Sequence, residues 1–193
     1  MGRHIDTAKL EVRSTPALYV SPPLVAETLS PALTPEVEVL AHDILHRMCT
    51  DDLTISTAES CTGGMLASLL TDVEGCGRAF DRAYVVYTNE AKQELLGVSP
   101  QTISEFGAVS KETALEMALG GLERSRADFC IAITGFAGRG APEDEPGLVH
   151  FALAQRRRWP AHEVAHLGDI GRGNVRLECL KISLQMLYAA LPH

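Results

Sequence analysis

The residues with the most chemistry in them form one short string, Ser60-Cys61-Thr62-Gly63-Gly64. Leu53 to Thr57 predicts a short strand and Gly64 to Leu70 opens a helix, so the string sits where strand hands over to helix. Such a junction aims unpaired backbone N–H groups outward, and the helix dipole adds partial positive charge. Glycines let the backbone come close to an anion. A serine placed there can attack a carbonyl carbon while neighbouring N–H groups hold the developing oxyanion. A tight turn capped by Ser60 or Thr62 stays open on spacing alone. The string is not a Walker loop, because no Gly-Lys-Ser/Thr follows. It is not a Gly-x-Ser-x-Gly elbow either, because Ala58 stands two before the serine.

A serine nucleophile needs a base, and none of the seven histidines lies near Ser60 in sequence. The segment Tyr87-Thr88-Asn89-Glu90-Ala91-Lys92 offers another choice. A strand end passes into a helix there, and Tyr87 and Lys92 can both reach a cleft at the strand tips, where open α/β sheets bind ligands. A buried lysine loses its proton more readily through desolvation, and a tyrosine nearby can relay that proton. Read alone, Lys92 is more simply a solvated helix residue.

The elements that must position these groups alternate along the chain. Residues 1 to about 34 are rich in proline and lack sustained periodicity, which predicts an extended or partly disordered tail. The remainder, 35–193, reads as one domain. Thr34-Pro35-Glu36 reads as a helix start, followed by an apolar stripe to about residue 49. Further strands are expected at 83–88, 129–134, 148–154 and about 160–167. Helices are expected to Leu96 with Asn89 as cap and Gly97 ending it, from the capping Ser110 to about Arg124, and from about Asn174 to Ala190. Strands alternating with helices predict a three-layer α/β/α sandwich around a mixed sheet.

Composition narrows the function classes. The chain has 46% hydrophobic and 22% charged residues and a net charge of −8. Acidity argues against general nucleic-acid binding, which rests on phosphate neutralisation. The only basic run, Arg156-Arg157-Arg158, reads as a solvated turn. No apolar run approaches the roughly 20 residues that span a bilayer, and the N-terminus lacks the pattern of a secretory signal. Neither membrane nor export is indicated, and a cytoplasmic protein is expected. Five widely spaced cysteines without a Cys-x-x-Cys pair argue against disulfides and zinc knuckles, and Cys130 and Cys179 read as core fillers. His162-Glu163-Val164-Ala165-His166 matches the zinc-protease string, but Pro160 and Gly168 bracket it too tightly for the required helix. On a strand its histidines stand about 13 Å apart, too far to share a metal.

Four segments together resemble the CinA C-terminal family, the nicotinamide-nucleotide amidases. They are Thr57 to Gly64, Tyr87 to Val98, Gly107-Ala108-Val109-Ser110 and Ile133 to Gly138, and the resemblance covers about residues 36 to 190. It implies hydrolysis of the carboxamide of nicotinamide mononucleotide to nicotinate mononucleotide and ammonia, a step of pyridine-nucleotide salvage. It also implies a homo-oligomer, no metal and no cofactor. The family's serine, tyrosine and lysine fall on Ser60, Tyr87 and Lys92. Thr62, Gly63 and Gly64 would supply anion or oxyanion contacts, Thr134 and Gly135 would line the nucleotide pocket, and Arg172 or Arg176 would suit the phosphate. The chain departs from the pattern at 138–147, where Glu143, Asp144 and Glu145 stand in place of an expected lysine and would repel a phosphate touching that loop. A catalytically silent nucleotide-binding or regulatory protein on the same fold is the alternative.

Overall fold

The computed structural model describes residues 32–141 and 143–192, so the expected tail falls almost wholly outside the described residues. Thr34 and Pro35 open helix α1 (Pro35–Thr50). The chain then runs through β1 (Ile55–Glu59), α2 (Met65–Thr71), β2 (Phe80–Val85), α3 (Asn89–Leu96), α4 (Pro100–Phe106), α5 (Lys111–Glu123), β3 (Phe129–Gly135), β4 (Leu148–Gln155), β5 (Ala161–His166) and α6 (Arg172–Ala190). The strands form one sheet in the order β2-β1-β3-β4-β5. Strand β1 is parallel to both β2 and β3, and the β3-β4 and β4-β5 pairs are antiparallel. The sheet is mixed, as expected.

Side chains alternate across a strand, and here the two faces differ in size. Phe129, Ile131 and Ile133 of β3 join Val149, Phe151 and Leu153 of β4 in one core, which α1, α2 and α6 cover. Cys130, Ala132, Ala152, Ala154 and Ala58 present a flatter face to α5 and to the end of α3. That flat face lets helices come close. A Cβ on Gly121 would lie 2.5 Å from Cys130 Sγ, and one on Gly120 would lie 1.8 Å from the Leu96 carbonyl oxygen. Helix α3 is therefore seated against α5 through bare backbone.

Several boundaries differ from expectation: β1 runs from Ile55 to Glu59 where 53–57 was expected, and β2 starts at Phe80, three residues before 83. Strand β2 ends at Val85, three residues before the expected Thr88. Val86 N–H still bonds the Glu59 carbonyl, but the carbonyls of Val86 and Tyr87 turn away from the sheet to Lys92. Thr88, one residue before the expected Asn89, caps α3 by accepting from Ala91 N–H. Helix α4 was not expected; Ser99 caps it, Pro100 starts it, and it buries no residue. Among the described residues no helix is long and apolar enough to cross a membrane.

Candidate active site

The chain leaves β1 for β2 on one side and later returns to β3 on the other. The carboxyl end of β1 is thus a switch point, where doubly wound sheets open a crevice. Ser60 stands at that end. Its N–H donates to the Ile133 carbonyl at 3.0 Å, which extends the β1-β3 ladder by one residue. Strand alternation then sends the Glu59 side chain toward α2 and that of Ser60 toward α3.

Glu59 is fully buried, and all its partners belong to the serine loop and its surroundings. Its carboxylate accepts from Thr62 Oγ1 at 2.7 Å, Ala67 N–H at 2.8 Å, Gly64 N–H at 3.0 Å, Leu66 N–H at 3.1 Å and Thr57 Oγ1 at 3.3 Å. It closes the N-terminus of α2, whose first amides would otherwise lack acceptors. Gly63 and Gly64 make the turn in the left-handed region, at φ 64° and 93°. Two such residues in succession call for glycine.

This geometry redistributes the expected roles in the loop. Thr62 Oγ1 and Gly64 N–H point inward to Glu59, so they hold the loop together instead of facing a ligand. Gly63 N–H bonds back to the Ser60 carbonyl. Among the described residues, the N–H groups of Cys61 and Thr62 form no hydrogen bond. Arg176 of α6 donates from Nε to the Cys61 carbonyl at 2.8 Å, and its Nη2 lies beside Gly63. The Cys61 side chain turns into the core with Cys179. Its thiol is lowered by a hydrogen bond with Cys179 against the effect of burial.

Lys92 lies one turn before Leu96 on α3, and both side chains are buried on that face. Lys92 is 1% exposed. Its Nζ lies 3.1 Å from Ser60 Oγ, 3.1 Å from the Val86 carbonyl oxygen and 3.2 Å from the Tyr87 carbonyl oxygen. No carboxylate pairs with it among the described residues. Burial pulls its pKa below the ordinary lysine value, because a low-dielectric site disfavours the ammonium. A neutral amine fits this geometry: its two N–H groups satisfy the two carbonyls, and its lone pair is left to accept the Ser60 proton. Tyr87 is 62% exposed as a residue, and it meets the lysine through its main-chain oxygen.

The other expected site residues surround this pair. Thr134 is buried, and its Oγ1 donates to the Ala108 carbonyl at 2.7 Å, tying the tip of β3 to the 107–110 loop. A Cβ on Gly135 would stand 2.7 Å from the Leu148 carbonyl oxygen, so that glycine serves the β3-β4 contact. Thr134 and Gly135 thus shape the strand tip. Arg172 is exposed and its guanidinium lies against Gly138. In the loop that departs from the family pattern, Asp144 accepts from Ala141 N–H and Glu145 pairs with His166 at 2.6 Å. Arg139 pairs with Asp169. The His162-to-His166 string lies on β5 in extended form, with His162 3.0 Å from His150. Among the described residues no three histidines, cysteines or acids are grouped to hold a metal.

A buried lysine amine 3.1 Å from a serine hydroxyl, at the switch point of a mixed α/β sheet, marks the class of this domain. The chain belongs to the CinA C-terminal domain family, whose model matches residues 37–191. It is 42% identical over 128 residues to the nicotinamide-nucleotide amidohydrolase PncC of Escherichia coli, covering 65% of this chain and 70% of that protein. It is 39% identical over 156 residues to a CinA-like protein of Kosmotoga olearia, covering 80% of this chain and 37% of that protein. A relative from Acetivibrio thermocellus is likewise spanned over only 37% of its length. Among solved structures, the competence/damage inducible protein CihA from Agrobacterium tumefaciens is 45% identical with a TM-score of 0.79, over 81% of this chain and 96% of that one. A CinA superfamily protein from Escherichia coli is 34% identical with a TM-score of 0.76, over 82% of this chain and 94% of that one.

Proposed function

We propose that this chain hydrolyses the carboxamide of nicotinamide mononucleotide, giving nicotinate mononucleotide and ammonia, as a step of pyridine-nucleotide salvage in the cytoplasm. The observation that carries the reading is the buried Lys92 Nζ, 3.1 Å from Ser60 Oγ, with its other two contacts on carbonyls. Neutral Lys92 takes the Ser60 proton as Oγ attacks the amide carbon. The N–H groups of Cys61 and Thr62 are the donors left over for the oxyanion. The lysinium returns its proton to the departing nitrogen, and ammonia leaves an acyl-serine. Lys92 then takes a proton from water as it attacks the ester carbon, and gives that proton to Ser60 Oγ as the carbon–oxygen bond breaks and the acid leaves.

The PncC relative supports the amide substrate by its name, and Arg172 and Arg176 support the phosphate end, because both stand on the first turns of α6 beside the loops that flank Ser60. The acids of the 138–147 loop weigh less against a phosphate than their number suggests, since Asp144 and Glu145 already have local partners. The chain acts as a homo-oligomer in this reading, which light scattering on the purified chain checks. The decisive assay measures ammonia released from nicotinamide mononucleotide. The wild type releases it and Ser60→Ala does not; full activity in Ser60→Ala sinks the serine mechanism, and an inert wild type sinks the substrate.

A further inference from the structure

Away from the serine, where α5 meets the β4–β5 hairpin, lies a groove of about 910 Å³. One wall is a stripe of α5 formed by Lys111, Leu115 and Leu119, four residues apart and so on one helix face. The other is the hairpin turn with Arg157, Arg158 and Trp159. Trp159 is the only tryptophan in the chain and is 96% exposed, an unusual place for so large an apolar ring.

The charges at this groove run against those of the molecule. The chain carries a net charge of −8, yet three cations line the groove. None of the three has an ion-pair partner among the described residues. The first arginine of the run behaves differently: Arg156 donates to the carbonyls of Ala127 and Ser125 and belongs to the fold. Among the described residues Arg157 and Arg158 make no such side-chain bond. Arg157 sits at φ 65° in the tight turn that presents its neighbours. Two acids act at this end: Glu112, in the first turn of α5, on His150 and His162, and Glu163 on His162.

We propose that this groove is a second binding site, for a nucleoside diphosphate, with the base stacked on Trp159 and the phosphates held by Arg157, Arg158 and Lys111. The ring supplies a stacking platform, and the leucines cover the base edge. Arginines bind phosphate oxygens in pairs, which gives the charged end its direction. The volume falls within the range of about 300–1,000 Å³ common to small-ligand clefts. A polynucleotide fits less well, because the chain as a whole is acidic, with a net charge of −8. The site is independent of the amidase reading and does not touch Ser60 or Lys92.

The single tryptophan reports directly on the groove. The intact chain is titrated with ADP, adenosine and inorganic pyrophosphate while Trp159 fluorescence is followed. ADP quenches to saturation, and adenosine and pyrophosphate each bind at least about tenfold more weakly, as loss of one end of the ligand requires. The double variant Arg157→Asn, Arg158→Gln keeps a residue tolerant of positive φ at the turn and weakens ADP by about tenfold or more. Arg172→Ala leaves the ADP midpoint unchanged, which separates this groove from the serine cleft. Quenching that never saturates, or saturation indifferent to the double variant, overturns the proposal. Tighter binding of a single-stranded oligonucleotide than of ADP overturns it as well.

Discussion

Replacing Lys92 by methionine tests the serine–lysine pair through two readouts that must move together. Methionine keeps most of the side-chain volume and removes the amine, so Ser60 loses its proton acceptor. General bases contribute about 10²- to 10⁴-fold, and ammonia release should fall by at least about a hundredfold. The second readout is linkage. Burial depresses the Lys92 pKa in the folded chain, so between that depressed value and the unfolded value of about 10.4 the unfolded chain binds one more proton. In that window wild-type stability rises with pH; below the folded pKa the penalty is constant, and above about 10.4 it is gone. One proton corresponds to at most about 1.4 kcal/mol per pH unit. For a chain of this size that is about 3–6 °C of melting temperature per unit, since each kcal/mol moves it by about 2–4 °C. Other groups titrating at high pH cancel in the difference between wild type and Lys92→Met. The assay is a pair of melting curves from pH 7 to 10.5 beside a kcat profile, which rises as neutral Lys92 appears. A flat melting difference would refute the reasoning: the lysine would then be a permanent ammonium, a structural donor to three oxygens and no base.

Glu59→Gln presents an amide to a cluster made only of donors, so the loop loses at least about 3 kcal/mol and the melting temperature falls by about 6–12 °C; an unchanged melt would mean the carboxylate does not hold the turn. Gly120→Ala drives a methyl into the Leu96 carbonyl at the end of the helix that carries Lys92. It should cost about 1–3 kcal/mol and lower kcat at least about tenfold by moving the amine; activity equal to wild type would show that α3 can shift without moving its lysine. Tyr87→Phe leaves the main-chain oxygen on Lys92 in place, so kcat should fall less than in Lys92→Met. An equal loss would assign the hydroxyl to the chemistry itself.

The fold was legible wherever one residue pattern decided it. Phe129 to Thr134 is apolar enough to need cover on both faces, and Ser110 and Gly97 mark helix ends that the structure keeps. Helix α4 carried the start signal Ser99-Pro100 but no apolar stripe, because it buries nothing, and periodicity cannot find such a helix. The end of β2 was misjudged because Val86 and Tyr87 have strand-like side chains while their carbonyls serve Lys92. At the site, the serine loop stood out through its glycines. The lysine did not, since burial is a tertiary property; the one local hint was its spacing of four from Leu96. Glu59 gave no hint of its five bonds. An acid in a strand reads as an edge or a loop residue until the donors around it are seen.

That carboxylate has a consequence for how the family can diversify. A helix end facing a glycine turn usually attracts phosphate, but in this chain the attraction is already satisfied from within. In the proposed reading the charged end of the substrate is recognised elsewhere, by the opening turns of α6 and the loop at 138–147, which lie apart in sequence from Ser60 and Lys92. Taste and chemistry are therefore separable parts. In the proposed reading, substitutions in that loop retune which amide is accepted while Ser60, Lys92 and the Glu59 brace of the serine loop stay as they are.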